Sequence, residues 1–480
     1  MEEDGPYSYH PHMPSAVSIF NDVVGPVMRG ASSSHCAAAL RIGRLARDLM
    51  HGAIDHILIE FDTNGSLPNT HEGQGSDMGL FGGLLGWDAA DERLPKSGDA
   101  LRAAGTKVEF RYIDCHDPHP NTYRLTLKNA REQHTMIAIS TGGGMIEVLE
   151  IDGEKVSLDG GSDVDFHGRT LKQVLPVRST PNASLPFQTF QDLMRLDAGR
   201  NRALWEYAVD YEAARGALDR TTVLTMMVDI VRILRTSIAE GIAGTHYDDR
   251  ILGHQSGKFA AAMERDNLLD AGALNRAVLY VTALMEVKSS MGVIVAAPTA
   301  GACAALPGAT IAFAEDMGLD ETEMAKAMLA AGAIGLFIAG PWTFAAEVGG
   351  CQAEGGSAAA MAAAALVTLA GGNLRQSTGA ASMALQSMLG LICDPVAARV
   401  EVPCLGKNVI AASNAVSCAN MALAGFDHLI PFDETVDAAR RVALNMPREH
   451  RCTALGGLAT TPTGIKLSED LQRRLTASKK

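Results

Sequence analysis

The 480-residue chain is poor in aromatic side chains, at 5% of residues, and it lacks any basic block: 41 Lys and Arg stand against 55 Asp and Glu, for a net charge of −14. Nucleic acid is therefore not an expected partner, because phosphate backbones are held by clustered cations. A small anionic substrate is still admissible, since one local pocket can oppose the global charge. A compact disulfide framework is also missing. The eight cysteines, Cys36, Cys115, Cys303, Cys351, Cys393, Cys404, Cys418 and Cys452, are scattered through a long chain. Residues 1–15 are polar, with no apolar secretory segment. This pattern fits a protein of the reducing cytoplasm, whose cysteines are free, catalytic or metal-bound. One long apolar run, residues 324–348, is rich in Ala and Gly and broken at Gly340-Pro341. It reads as a core helix ending at Pro341 and not as a membrane span.

At 47% hydrophobic, the chain has room for a large core, or two. In the first third, Ile57, Ile59 and Phe61 alternate as in a half-buried strand. So do Val108, Phe110 and Tyr112, and Tyr123, Leu125 and Leu127. Residues 136–140 are a further strand, stopped by Thr141-Gly142-Gly143-Gly144. Helices are expected over 36–50 and 78–85. The proline-rich stretch 176–186 marks a boundary. Beyond it Val223, Met226, Met227, Ile230, Val231, Leu234 and Ile238 follow helical spacing, and almost everything from Gln188 onward looks helical. The expectation is an α+β protein: an α/β domain over 1–180, followed by an all-helical domain over 186–480.

Three cysteines stand beside Gly or Pro: Cys351 in Gly-Gly-Cys-Gln-Ala-Glu, Cys393 in Ile-Cys-Asp-Pro, and Cys404 in Val-Pro-Cys-Leu-Gly-Lys-Asn. Their gaps are too long for a zinc knuckle. Well-separated thiolates on irregular backbone suit a [4Fe–4S] cluster with one iron left open, which would act as a Lewis acid. Buried free cysteines are the alternative on spacing alone. Ser32-Ser33-Ser34-His35 opens a helix, where hydroxyls and free N–H groups make a carboxylate cradle or simply a cap. His119-Pro120-Asn121-Thr122, Ser140-Thr141-Gly142 and Ala297-Pro298-Thr299-Ala300-Gly301 are further turns that together could hold a small polar anion.

Taken together these segments resemble the iron–sulfur-dependent L-serine dehydratases, over nearly the whole length and with β and α portions fused in that order. GPVMRGASSSH, AAPTAGAC, GGCQAE, CDPVA and VPC carry the resemblance. It implies a [4Fe–4S] cluster on Cys351, Cys393 and Cys404, and catalytic roles for His35 and Asp77. It places Ser32, Ser33, Ser34, Gln74, Asn121, Ser140, Thr299, Ala300 and Gly301 around the substrate. It also implies β-elimination of water from L-serine at the open iron, yielding pyruvate and ammonia, by a homodimer or higher homo-oligomer with no membrane or nucleic-acid partner. The chain departs from that pattern at Gln74, where the family has His, and at Pro341-Trp342-Thr343-Phe344. It ends in Ser478-Lys479-Lys480, where some members carry a cysteine that covers the iron; Cys452 is the nearest one. Other readings are another small hydroxy acid, another hydroxy amino acid or cysteine as substrate, a pyridoxal-phosphate enzyme using Lys288, which lacks a matching phosphate loop, and an iron or redox sensor, which lacks a basic recognition helix.

Overall fold

The computed structural model describes residues 16–117, 119–180 and 183–478. Residues 1–15, Pro118, Pro181 and Asn182 of the proline-rich connection, and Lys479-Lys480 lie outside the described residues. The strands of the first part are β1 (Val27–Met28), β2 (His56–Asp62), β3 (Lys107–Ile113), β4 (Thr122–Lys128), β5 (Gln133–Gly142), β6 (Met145–Ile151) and β7 (Glu154–Leu158). Ile57, Ile59 and Phe61 of β2 are buried, as period-2 alternation requires of a strand with one face on a core. Six strands form a sheet in the order β3-β2-β4-β5-β6-β7. The β2–β3 pair alone is parallel, and its crossover carries helices Ser76–Leu84 and Ser97–Ala103. The remaining pairs are antiparallel: β2 with β4, across the crossover, and the hairpins β4–β5, β5–β6 and β6–β7. The β5–β6 turn uses Gly143 and Gly144 at φ 62° and 92°, the left-handed region that tight hairpins demand.

Helices Ala38–Asp48 and Ser76–Leu84 pack on this sheet at unusually short range. A Cβ at Gly79 would lie 2.0 Å from the carbonyl oxygen of Cys36, and one at Gly83 would lie 2.1 Å from that of Leu40. Glycine inside a helix costs about 1 kcal/mol relative to alanine. Here it lets backbone touch backbone and locks the turn that carries residues 33–36 against the second helix.

From Phe190 onward the chain is helical, with a two-residue strand, Ile294–Val295, that pairs antiparallel with β1. The expectation that almost everything in this part is helical holds, and at this short strand the segment answers to β1 and not to its own periodicity. Helix Ser357–Leu369 packs against Ala305–Asp316, Glu321–Ala339, Leu374–Gln386 and Cys404–Leu423. Alanine fills most of its faces and is buried there, which permits close helix packing. Helix Glu321–Ala339 is long and apolar enough to cross a bilayer, but 78% of its apolar window is buried within the protein.

Two large apolar cores result. One lies between the sheet and the two glycine-notched helices. The other lies among the helices and also takes in residues between Val17 and Ala37. Polar ties fix that N-terminal segment: Ser18 Oγ donates to Glu212 at 2.6 Å, and Asn21 Nδ2 donates to the Val177 carbonyl at 2.7 Å. By crossing to the helical part before entering the sheet, the segment brings the serine turn against residues 299–301.

Candidate active site

Ser33-Ser34-His35-Cys36-Ala37 form a single π-helical turn, a local widening that is rare and frequent at functional sites. His35 is fully buried between two hydroxyls: Nδ1 meets Ser32 Oγ at 3.0 Å and Nε2 meets Thr70 Oγ1 at 2.9 Å. Glu347 Oε1 lies 3.5 Å from Nδ1. Burial, with a smaller contribution from His71, pushes the His35 pKa down to about 3. The ring is therefore a neutral imidazole that donates through one nitrogen and accepts through the other. Ser33 Oγ accepts from the backbone N of Ala300 at 3.1 Å, joining the serine turn to the helical part. Ser34 is buried beside them.

On the facing side, Thr299 Oγ1 donates to Glu354 Oε1 at 2.8 Å and accepts from Ala302 N at 3.1 Å. Glu354 also borders Gly301, where a Cβ would come within 3.0 Å of both its carboxylate oxygens. Burial, and next the charge of Glu347, pushes the Glu354 pKa up to about 7. Burial raises Glu347 as well. Asn121 faces Glu347, yet both polar atoms of its amide are buried without a closed hydrogen bond, as is Ser140 Oγ. The two are already joined through the backbone, Ser140 N donating to the Asn121 carbonyl at 3.1 Å. Buried polar atoms without partners are costly, and a polar ligand would satisfy these three.

The cysteines converge next to the carboxylates. Donor atoms of Cys351, Cys393 and Glu354 lie within 4.8 Å of one another. Cys351 precedes another π-helical turn, Gln352–Gly356; Cys393 lies in the Leu391–Pro395 loop, its N–H donating to the His450 carbonyl at 2.8 Å; Cys404 opens helix Cys404–Leu423. Cys393 is within hydrogen-bonding reach of Cys351 and Cys452, which together with burial raises its thiol pKa well above the ordinary value. Burial, then Cys351, does the same for Cys404. None of these cysteines is in a disulfide. Cys351, Cys393 and Cys452, with Cys404 near enough to feel the charge of Cys351, are a soft donor set, suited to iron–sulfur ligation and costly to ionise without a metal's charge. The residues fit the cluster.

Several contributors lie outside the sequence-derived set. Thr70 holds His35; Glu347 sits in the short helix Ala346–Gly349 and lies 3.5 Å from His35 Nδ1, and past the left-handed break at Gly350 the next turn carries Glu354 to Cys351 and Cys393. Lys407 Nζ donates to Ile392 O at 2.6 Å, Asp394 Oδ1 at 2.7 Å and Cys351 Sγ at 3.7 Å. Asn408 Nδ2 donates to the carbonyls of Gly301 and Cys404 at 2.8 and 2.9 Å, tying the Thr299 turn to the Cys404 helix. Gln74 is buried and donates to Cys452 Sγ at 3.7 Å. Asp77 points elsewhere: it meets His71 Nδ1 at 2.7 Å, and His71 Nε2 meets the half-exposed Tyr112 hydroxyl at 2.9 Å. A cavity of about 140 Å³ lies beside the serine turn, lined by Ala31, Gly73, Gly75, Lys288, Arg399 and Glu401.

Comparison with known proteins agrees in direction. The family described as serine dehydratase alpha chain matches residues 199–459. The chain is 35% identical over 285 residues to the probable L-serine dehydratase alpha chain of Bacillus subtilis, covering 59% of this chain and 95% of that one. It is 41% identical over 143 residues to the probable beta chain from the same organism, covering 30% and 64%. It is 30% identical over 483 residues to the L-serine dehydratase TdcG of Escherichia coli, covering 93% and 99%.

Proposed function

The chain belongs to the L-serine dehydratase family, and from that premise we propose that it converts L-serine to pyruvate and ammonia with a [4Fe–4S] cluster held by Cys351, Cys393 and Cys404. The observation that carries the reading is the approach of the Cys351 and Cys393 thiols to Glu354, which is joined through Thr299 to the turn that meets Ser33, with Glu347 beside His35. A cluster bound there, with one iron not held by protein, supplies a Lewis acid that makes hydroxide a better leaving group.

The chain's own residues do the rest. The serine hydroxyls and the N–H groups of the π-helical turn face a substrate carboxylate. Asn121 and Ser140 close their open hydrogen bonds on the same small polar molecule. His35, neutral and held at both nitrogens, orients Ser32 and Thr70 without placing a positive charge in the site. Glu347 and Glu354 are the buried carboxyls that can hold a proton removed from Cα or deliver one to the departing hydroxyl. Removal of water gives an unsaturated amine, which tautomerises and hydrolyses to the keto acid and ammonia. Asp77 acts at one remove, through His71. The same site on another small 3-hydroxy acid is the second reading, favoured by Gln74, whose amide is committed to Cys452.

The proposal extends to a division into domains 1–180 and 186–480, to a homodimer or larger homo-oligomer, and to the cytoplasm as the place of action. The test is anaerobic purification, with iron and sulfide quantified and pyruvate release from L-serine measured on one sample. About four irons with turnover is the expected result. A full cluster without turnover of L-serine would transfer the reading to other hydroxy acids, and protein that takes up no iron on anaerobic reconstitution would overturn it.

A further inference from the structure

Lys407 donates to a proposed ligand thiol, Cys351, and its contacts have a particular distribution. It lies one helical turn beyond Cys404 on helix Cys404–Leu423, so its side chain leaves the same face as that cysteine. An ammonium has three N–H donors and no acceptor. Each finds a partner on a different part of the cysteine site: the carbonyl of Ile392, directly before Cys393, at 2.6 Å; the carboxylate of Asp394, directly after it, at 2.7 Å; and Cys351 Sγ at 3.7 Å. The side chain is only 13% exposed and that of Asp394 5%. Asp394 is in turn held by Leu458 N at 2.9 Å, so the ion pair is anchored at both ends.

We infer that Lys407 is a positioning residue for the cluster: it holds the segments bearing Cys351, Cys393 and Cys404 in one register, and it supplies the positive charge that offsets the thiolates. The inference rests on the iron–sulfur reading above. Separation of the three cysteines along the chain makes such a device necessary, because no short loop holds their spacing. Three thiolates in a buried site also repel one another, and one ammonium in contact with one of them lowers that cost. Reduction potentials of such clusters respond to net charge and to hydrogen bonds on sulfur. Removing the cation must therefore make the cluster easier to oxidise, and removing the neighbouring anion must do the opposite.

That opposition of sign is the test. Wild type, Lys407→Gln, Lys407→Arg and Asp394→Asn are reconstituted anaerobically, and four quantities are read: iron and sulfide content, cluster reduction potential, lifetime of the visible absorption in air, and pyruvate release. Lys407→Gln is expected to bind iron about 10–100-fold more weakly, the range typical of lost outer-shell partners. It is also expected to show a lower potential and a shorter lifetime in air. Lys407→Arg keeps the charge and stays nearer wild type in potential. Asp394→Asn shifts the potential upward. If Lys407→Gln cannot be loaded at all, Asp394→Asn alone decides. An unchanged or lowered potential in Asp394→Asn, or a Lys407→Gln protein equal to wild type in potential and lifetime, would overturn the inference. A wild type that takes up no iron and sulfide would instead overturn the reading beneath it, so the two failures are distinct.

Discussion

Replacing His35 by Gln, which keeps hydrogen-bonding capacity but cannot titrate, isolates the energetic consequence of burying an imidazole. His35 has its pKa pushed from 6.5 down to about 3 in the folded protein, chiefly by burial. The unfolded chain then binds more protons than the folded one between these values. A depressed histidine therefore withdraws stability as the pH falls through about 6.5. One pKa unit corresponds to about 1.4 kcal/mol. Going from about pH 7.5 to about pH 5, the unfolded imidazole becomes almost fully charged while the folded one stays neutral, and wild type loses about 2 kcal/mol through this group. The variant loses nothing through it. Urea unfolding of the apoprotein at the two pH values measures the difference. His119, also buried and pushed down to about 4, and the raised carboxyls contribute to both proteins alike and cancel in the comparison. Whatever His35→Gln costs at about pH 7.5, its deficit against wild type must shrink by about 2 kcal/mol at about pH 5. Two stability curves running parallel across that interval would show that His35 is charged or solvated in the fold, and would refute its role as a neutral orienting group.

Gly79→Ala must force a methyl group to 2.0 Å from the Cys36 carbonyl, so overpacking by about 1–3 kcal/mol outweighs the gain of about 1 kcal/mol in helix propensity. Gly98→Ala, whose new methyl meets Phe81 at an ordinary 3.6 Å, is the control and should be neutral or stabilising by urea titration. Glu347→Gln should keep the fold and the iron content while lowering kcat by about 10²–10⁴-fold, the usual contribution of a proton-handling group; full activity would remove Glu347 from the chemistry. Gln74→His, which releases the Cys452 thiol from its amide, should shift kcat/KM among L-serine and other small hydroxy acids, and an unaltered substrate ranking would show that position 74 does not shape the pocket.

Strands β2, β4 and β5 were legible because each buries one face, which imposes alternation on the residues themselves, and the edge strand β3 alternates too although Val108 and Phe110 are only partly buried and Tyr112 is exposed. The β6–β7 hairpin also carries a local signal: Asp152-Gly153, with φ 51° and 83°, is a favoured two-residue turn between apolar runs. No local signal could have found Ile294–Val295, since two residues have no period and the pairing partner is β1, far away in sequence.

The candidate site divides in the same way. Cysteine, serine and glycine announce themselves because few other residues bend chain, bind soft metals or cradle an anion, so Cys351, Cys393, Cys404 and Ser32-Ser33-Ser34 could be singled out from type and neighbours. Glu347 and Glu354 stood in the same motif, but an acidic residue in a sequence is solvated by default, and only the fold shows Glu347 buried beside His35 and Glu354 half-buried on Thr299. The neutrality of His35 is likewise a product of its surroundings: desolvation depends on atoms contributed by distant segments. The chain by itself determined which chemistry was available, through side-chain type, local turn propensity and the period of its apolar residues. The tertiary structure decided which groups lie together, that Asp77 turns to His71, and that Lys407, on the Cys404 helix, reaches the segments bearing Cys351 and Cys393 at once. Those outcomes follow from long-range packing and low local dielectric, quantities that no stretch of neighbouring residues encodes.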